Sequence, residues 1–191
     1  MTWPVLATAR LRLRAWNDND RAPFAALNAD PQVREHFVGV LTREESDAFV
    51  DRIQTRFAAR GYGLWAVERI DDGRFLGYTG LAHWDWPGVP FTPCVEIGWR
   101  LAREAWGQGY ATEAARAVLA FGFGSAALDE IVSFTTPANR RSWAVMERLG
   151  MVRDPHGDFD HPEVPVGHPV RPHVLYRLSR ERWLALGGTL T

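Results

Sequence analysis

The chain has 191 residues, a length that suits one domain, 1–191, with its own core and is short for two. Its 22 basic residues, all arginine, are scattered among 23 acidic ones for a formal net charge of −1, which argues against a dedicated nucleic-acid binder. Cys94, the one cysteine, excludes an internal disulfide and a cysteine zinc cluster; with no signal-peptide pattern and no membrane-length apolar run, a soluble, cytoplasmic protein is expected.

Polar and apolar residues alternate over 10–16, RLRLRAW, which predicts a half-buried strand, and the following NDND offers caps for a short helix through Leu27. Thr42 and Glu45 form a capping-box pattern, after which Phe49, Ile53 and Phe57 share one helical face until Gly61 stops it. GLWAVER and RFLGYTGLAHW flank Asp71, Asp72 and Gly73, a hairpin signal. A connection containing Pro87, Pro90 and Pro93 leads to a strand over 95–101. Then come a glycine turn, a helix, the strand EIVSFTT, a helix over 139–149 ended by Gly150, a loop rich in His, Pro and Asp, and a closing strand HVLYRL. This order predicts an α/β (α+β) domain, a mixed sheet with helices on its faces.

Gly107 and Gly109 stand between the strand at 95–101 and a helix, an order that aims backbone N–H groups at an anion. A P-loop needs a lysine that reaches the phosphates, and the chain has none. A dinucleotide fingerprint needs a third glycine where Thr112 stands, and the later acid, Asp129, precedes its strand instead of ending it. Both points disfavour a dinucleotide-dependent oxidoreductase. Ala111, Ala114, Ala115, Val118, Leu119 and Gly122 give the helix one face of small residues, able to pack close on a sheet and fix the helix N-terminus.

The run WGQGYATEA at 106–114 resembles the GNAT acetyltransferase superfamily, and in particular its RimJ/RimL-like branch, the ribosomal-protein N-terminal acetyltransferases and their relatives. Gly109 and Ala111 match the end of the superfamily's loop pattern. Trp106 stands where Gln or Arg is usual, a departure typical of that branch. The resemblance extends from ARLRLRAW to HVLYRL, nearly the whole chain. It implies the GNAT acyl-CoA N-acyltransferase fold, with a mixed central sheet of about seven strands and helices on both faces. It also implies acetyl-CoA as co-substrate and direct transfer of its acetyl group to a primary amine. By the same resemblance Trp106, Gly107, Gln108, Gly109, Tyr110, Ala111 and Thr112 would wrap the pyrophosphate. The backbone of Trp99, Arg100 and Leu101 would pair with the pantetheine arm where the strand splays at Gly98. Asn139 would contact pantetheine as well as capping its helix. Met146 occupies the place of the usual tyrosine acid, so Ser142, near the thioester sulfur, would protonate the leaving thiolate, with Tyr110 and Tyr176 as further candidates.

Alternation along VEIGWRL puts Glu96, Gly98 and Arg100 on one strand face. A glutamate that precedes Ile97 and Trp99 in a central strand is costly to bury without purpose. It is either the ion-pair partner of an arginine such as Arg100 or the general base, or orienter, for the incoming amine. His161, His168 and His173 lie near Asp158, Asp160 and Glu163, yet each histidine abuts a proline and the spacings match no ligand motif, so no metal is expected. By the same resemblance residues 156–173 are expected as irregular turns over the acceptor cleft, where Asp158 and Asp160 are either solvated loop acids or groups that attract a cationic amine. The expected partners are an amine acceptor, as a small molecule or a peptide or protein N-terminus, with no nucleic acid or membrane, in a monomer or homodimer. A non-catalytic acyl-CoA sensor would keep the loop and Asn139 but need neither Glu96 nor Ser142.

Overall fold

Capping decides where the first two helices begin. The computed structural model describes residues 3–191, and in it Asn17 and Asp20 exchange side-chain and backbone bonds at the start of α1 (Asp18–Ala29). Thr42 and Glu45 do the same for α2 (Arg43–Arg60), which ends on Gly61 with φ at +75°. The strands are β1 (Leu6–Ala7), β2 (Leu11–Arg14), β3 (Leu64–Arg69), β4 (Phe75–Trp84), β5 (Cys94–Leu101), β6 (Glu130–Thr135), β7 (Val152–Asp160) and β8 (Pro172–Ser179). The remaining helices are α3 (Tyr110–Phe123), α4 (Arg140–Arg148) and α5 (Arg180–Ala185). Strand order is β1-β2-β3-β4-β5-β6-β8-β7. The mixed α/β architecture is as expected, but among the described residues the strands number eight rather than about seven.

The additional strands explain themselves. β1 is two residues long and pairs Leu6 with Leu13, too short to leave a periodic signal. β7 replaces part of the irregular segment expected at 156–173. Pro155 and Gly157 read as strand breakers, yet β7 is the edge strand, and Pro155 falls inside the register break between Asp154 and Phe159 where no ladder N–H is required. Turns occupy only the stretch between Asp160 and Pro172.

The chain divides into two compact units, one of residues up to Leu81 with Gly98–Val118, the other of Ala82–Ile97 with Leu119–Thr191. In the first, Trp16, Phe24, Val50, Ile53 and Tyr78 form a core against which Trp106 packs. Each large side chain buried this way contributes roughly 1.5–3 kcal/mol. β4 runs very close to β5 here: a Cβ at Gly77, with φ at +134°, would lie 2.2 Å from the carbonyl oxygen of Arg100. In the second unit Trp86, Val132, Phe134 and Leu175 form the core, with Trp84, Phe91 and Phe159 packed against it. α5 follows β8 directly, capped by Ser179, and buries Trp183.

Candidate active site

In the first unit the end of β5 turns through a short 3-10 segment, Arg103–Ala105, into the glycine loop. Trp106 fixes that turn: its indole N–H donates to the carbonyl of Leu101 at 2.9 Å while the ring packs on the core. Gln108 donates to the carbonyl of Glu104 at 2.8 Å. Gly107 and Gly109 have φ of +73° and +80°, the left-handed region that disfavours any side chain. The glycines are therefore required by the backbone itself. A Cβ at Gly107 would meet no protein atom within 4 Å, and one at Gly109 would approach only the Arg10 guanidinium, at 3.5 Å.

The bond from Glu113 N–H to the Gly109 carbonyl, 3.0 Å, opens the ladder of α3, so the N–H groups of 108–112 precede it. Those donors and the positive helix end suit a diphosphate, which is the chemistry a coenzyme A pyrophosphate presents. Ala114, Ala115, Val118 and Leu119 are buried, as the small-residue face requires. Glu113, inside the same motif, has a role that the sequence did not disclose. It accepts from the Thr8 hydroxyl at 2.6 Å, Arg10 N–H at 2.9 Å and Arg10 Nε at 2.7 Å, tying the β1–β2 turn to α3. Tyr110 lies under the Arg10 guanidinium, 4.5 Å from ring centre, which occupies one of the alternative acids.

Arg100, also in this unit, is buried and donates to Asn28 Oδ1 at 2.7 Å. The Glu96 carboxylate instead accepts from the indole N–H of Trp84 at 2.6 Å, in the second unit. The two β5 residues thus have different partners, and the ion-pair reading of Glu96 loses its support. Glu96 is half-buried, and burial pushes its carboxyl up to about 8; the Trp84 bond opposes this and the charge of Glu163 adds to it.

The wall beside Glu96 is aromatic. Trp84 stacks on Trp86 with ring centres 4.6 Å apart, and Trp86 donates its indole N–H to Glu163 at 3.3 Å. His161 meets Trp86 edge-on, with ring centres 4.8 Å apart, and lies tilted against His173, with ring centres 4.9 Å apart. Burial pushes both histidines down to about 4, so both are neutral at physiological pH. Among the described residues no group of three potential metal ligands forms. Asp158 and Asp160 are engaged by Arg153, at 2.7 Å, and Arg171, at 3.1 Å, while Glu163 is the acid that joins the aromatic wall. Trp84 and Trp86 went unread because tryptophans at the end of a strand look like ordinary core.

Asn139 caps α4, its Oδ1 accepting from Ser142 N–H at 3.2 Å. Its amide nitrogen is engaged too, donating to Thr135 Oγ1 at 2.9 Å. Ser142 is half-buried in the first turn, and Met146, buried one turn on, confirms that no tyrosine hydroxyl stands there. Tyr176 is buried and directs its hydroxyl toward Glu147 at 3.5 Å. The parallel pairing of β5 with β6 is registered at Glu96 and Val132, and Ser133 adds a bond to the Ile97 carbonyl at 2.9 Å.

A family model described as an acetyltransferase (GNAT) domain matches residues 10–152. YkkB of Bacillus subtilis, a protein without assigned activity, is 35% identical over 147 residues, 76% of this chain and 84% of its own. The FsC-acetyl coenzyme A-N(2)-transacetylase of Aspergillus fumigatus is 29% identical over 191 residues, 96% of this chain and 79% of its own. An acetyltransferase from Agrobacterium tumefaciens superposes with a TM-score of 0.75 at 28% identity, covering 93% of this chain and 95% of its own.

Proposed function

The chain belongs to the GNAT acetyltransferase family, and on that premise we propose that it transfers the acetyl group of acetyl-CoA to a primary amine, with Glu96 taking the amine's proton and Ser142 returning one to the leaving thiolate. The observation that carries this reading is Glu96. A carboxyl held by one indole N–H at 2.6 Å and raised to about 8 is a base matched to an ammonium group near neutral pH.

Acetyl-CoA supplies the activated thioester. The N–H groups of Gln108, Gly109, Tyr110, Ala111 and Thr112 hold the pyrophosphate, on a loop that Trp106 and Gly107 shape. Backbone groups of Trp99, Arg100 and Leu101, together with Asn139, align the pantetheine arm, and a strand N–H near Trp99 polarises the carbonyl. Trp84, half-buried and stacked on the core residue Trp86, offers aromatic surface to a cationic amine, beside histidines that carry no repelling charge. Glu96, directly or through water, accepts the proton, and the free amine attacks the thioester in the ternary complex. Direct attack needs no protein nucleophile, and Cys94 is unsuited to be one: burial pushes its thiol up to about 12. The acceptor is a small-molecule amine or a peptide or protein N-terminus, and the Aspergillus relative's name supports the former. The cytoplasm, with its acetyl-CoA, is the proposed compartment.

Two measurements test this. Acetyl-CoA at about 100 times its Kd should raise Tm by roughly 5–11 °C, and NADH should not. A panel of primary amines should then release free thiol from acetyl-CoA. Equal shifts from NADH would overturn the cofactor assignment, and binding without turnover on every amine would leave an acyl-CoA sensor.

A further inference from the structure

Among the described residues of the first unit, two arginines are buried without a carboxylate bonded to either. Arg34 and Arg100 are 8% and 7% exposed. Arg34 Nε donates to the carbonyl of Gly39 at 2.8 Å, and Arg100 Nη1 donates to Asn28 Oδ1 at 2.7 Å. Asn28 is fixed in turn, its Nδ2 donating to Ser46 Oγ at 2.9 Å, with both residues wholly buried. Arg100 Nε has no hydrogen-bond partner among the described residues. The two guanidiniums share one aromatic ring: Arg100 lies 4.1 Å and Arg34 4.7 Å from the centre of Phe37.

An ordinary structural arginine is neutralised, as Arg14 is by Asp20 at 2.7 Å and Glu68 at 2.6 Å in the same unit. Here the neighbours are an amide, a carbonyl and rings. Burial and the charge of Arg100 lower Arg34 to about 10; Glu45, the carboxylate that acts on it weakly, is bound to Thr42 N–H at the cap of α2. Two desolvated like charges with an idle donor form an arrangement that an anion would stabilise. The segment carrying Phe37 exposes apolar side chains, Phe37, Val38 and Val40 by 37%, 43% and 49%, beside an exposed Glu35 whose carboxylate lies 3.8 Å from His36. That suits a ligand with an apolar body and an anionic end, and the planar fork of a guanidinium suits a carboxylate.

We propose that Arg34 and Arg100, covered by Phe37, form a subsite for the carboxylate of the acceptor amine. The site stands on its own geometry, while its assignment to the acceptor rests on the acetyl-transfer reading.

The test has a binding arm and a kinetic arm. Potassium acetate, against potassium chloride at equal ionic strength and without coenzyme A, should raise Tm by about 3 °C in the wild-type protein. Arg34→Gln should abolish that rise. Asn28→Asp, which sets a fixed carboxylate against Arg100, should raise Tm in chloride and abolish the response to acetate. No acetate response in the wild type, or an undiminished one in both variants, overturns the subsite whether or not the protein transfers acetyl groups.

In the kinetic arm, KM for an amine bearing a carboxylate should be about 10- to 100-fold below that for its carboxamide, the worth of charged hydrogen bonds, and Arg34→Gln should collapse the ratio toward one. An unaltered ratio in Arg34→Gln overturns the assignment to the acceptor. A coenzyme phosphate as the occupant would show instead as a selective loss of affinity for acetyl-CoA in Arg34→Gln, and overturns it equally. Acetate binding with no turnover on any amine contradicts the acetyl-transfer reading and leaves an anion site.

Discussion

Glu113, in the first turn of α3, accepts hydrogen bonds from the Thr8 hydroxyl and from the backbone and guanidinium of Arg10, whereas Glu96, on β5, accepts from an indole N–H. Burial alone would raise both carboxyls. At Glu113 the bonds from Thr8 and Arg10 outweigh it and hold the group below its ordinary value; at Glu96 burial wins and lifts it to about 8. The difference separates an acid that fastens two segments from the one proposed to move a proton. Residue type and strand or helix position do not make that distinction, because the partners come from distant parts of the chain.

The largest expected effect would break the comparison at Glu96. Glu96→Gln keeps the shape and a hydrogen-bond acceptor but removes the basicity, so kcat/KM at pH 7 should fall by about 10² to 10⁴. Steady-state thiol release checks this, and a near-normal rate would make Glu96 another Glu113. Ser142→Ala should lower kcat by about 10², the lower range for a positioned proton donor. Because thiolate protonation is a separate step, this loss should vary little with pH, while the loss in Glu96→Gln shrinks as the amine deprotonates itself.

Glu113→Gln should behave oppositely, lowering stability by about 1.5–3 kcal/mol through its charged hydrogen bonds and leaving kcat per folded molecule intact. Urea unfolding with a parallel assay separates the two. An unchanged Tm with a collapsed rate would reverse the roles assigned to the two acids.

The smallest effects lie in the pH dependence of stability. Glu96 titrates higher folded than unfolded, so its contribution is full below the ordinary value of 4.5 and is lost as pH rises through about 8. His161 and His173 titrate lower folded, near 4, so their contribution is present above 6.5 and is lost as pH falls toward 4. Between pH 6.5 and 8 stability should therefore decline by up to about 1.4 kcal/mol per unit, the weight of one proton. Denaturant titrations should find that slope flattened in Glu96→Gln and the acid-side loss reduced in His161→Gln.

Much of this was legible in the sequence where the signal is local. The cap offered by NDND, the capping box at Thr42, the Gly61 stop and the strand–glycine–helix order at 94–123 all appear where the residues place them. What the sequence concealed depends on distant neighbours. The positive φ of Gly109 means that a substitution there strains the backbone before it tests a phosphate, so the loop alone is a poor place for mutagenesis. β7 was concealed by Pro155, which is harmless only because that strand is an edge. Nothing local in Trp84, Trp86 or Glu163 announces that two stacked indoles each donate to a carboxylate.

The most direct measurement is the pH profile of kcat/KM from pH 6 to 10, for wild type and Glu96→Gln, with acetyl-CoA saturating and one active amine. The wild-type rate should rise along a limb centred near 8, the value of Glu96 in the free protein, and Glu96→Gln should retain only the limb set by the amine's own ionisation. Superimposable profiles with similar rates would contradict the account.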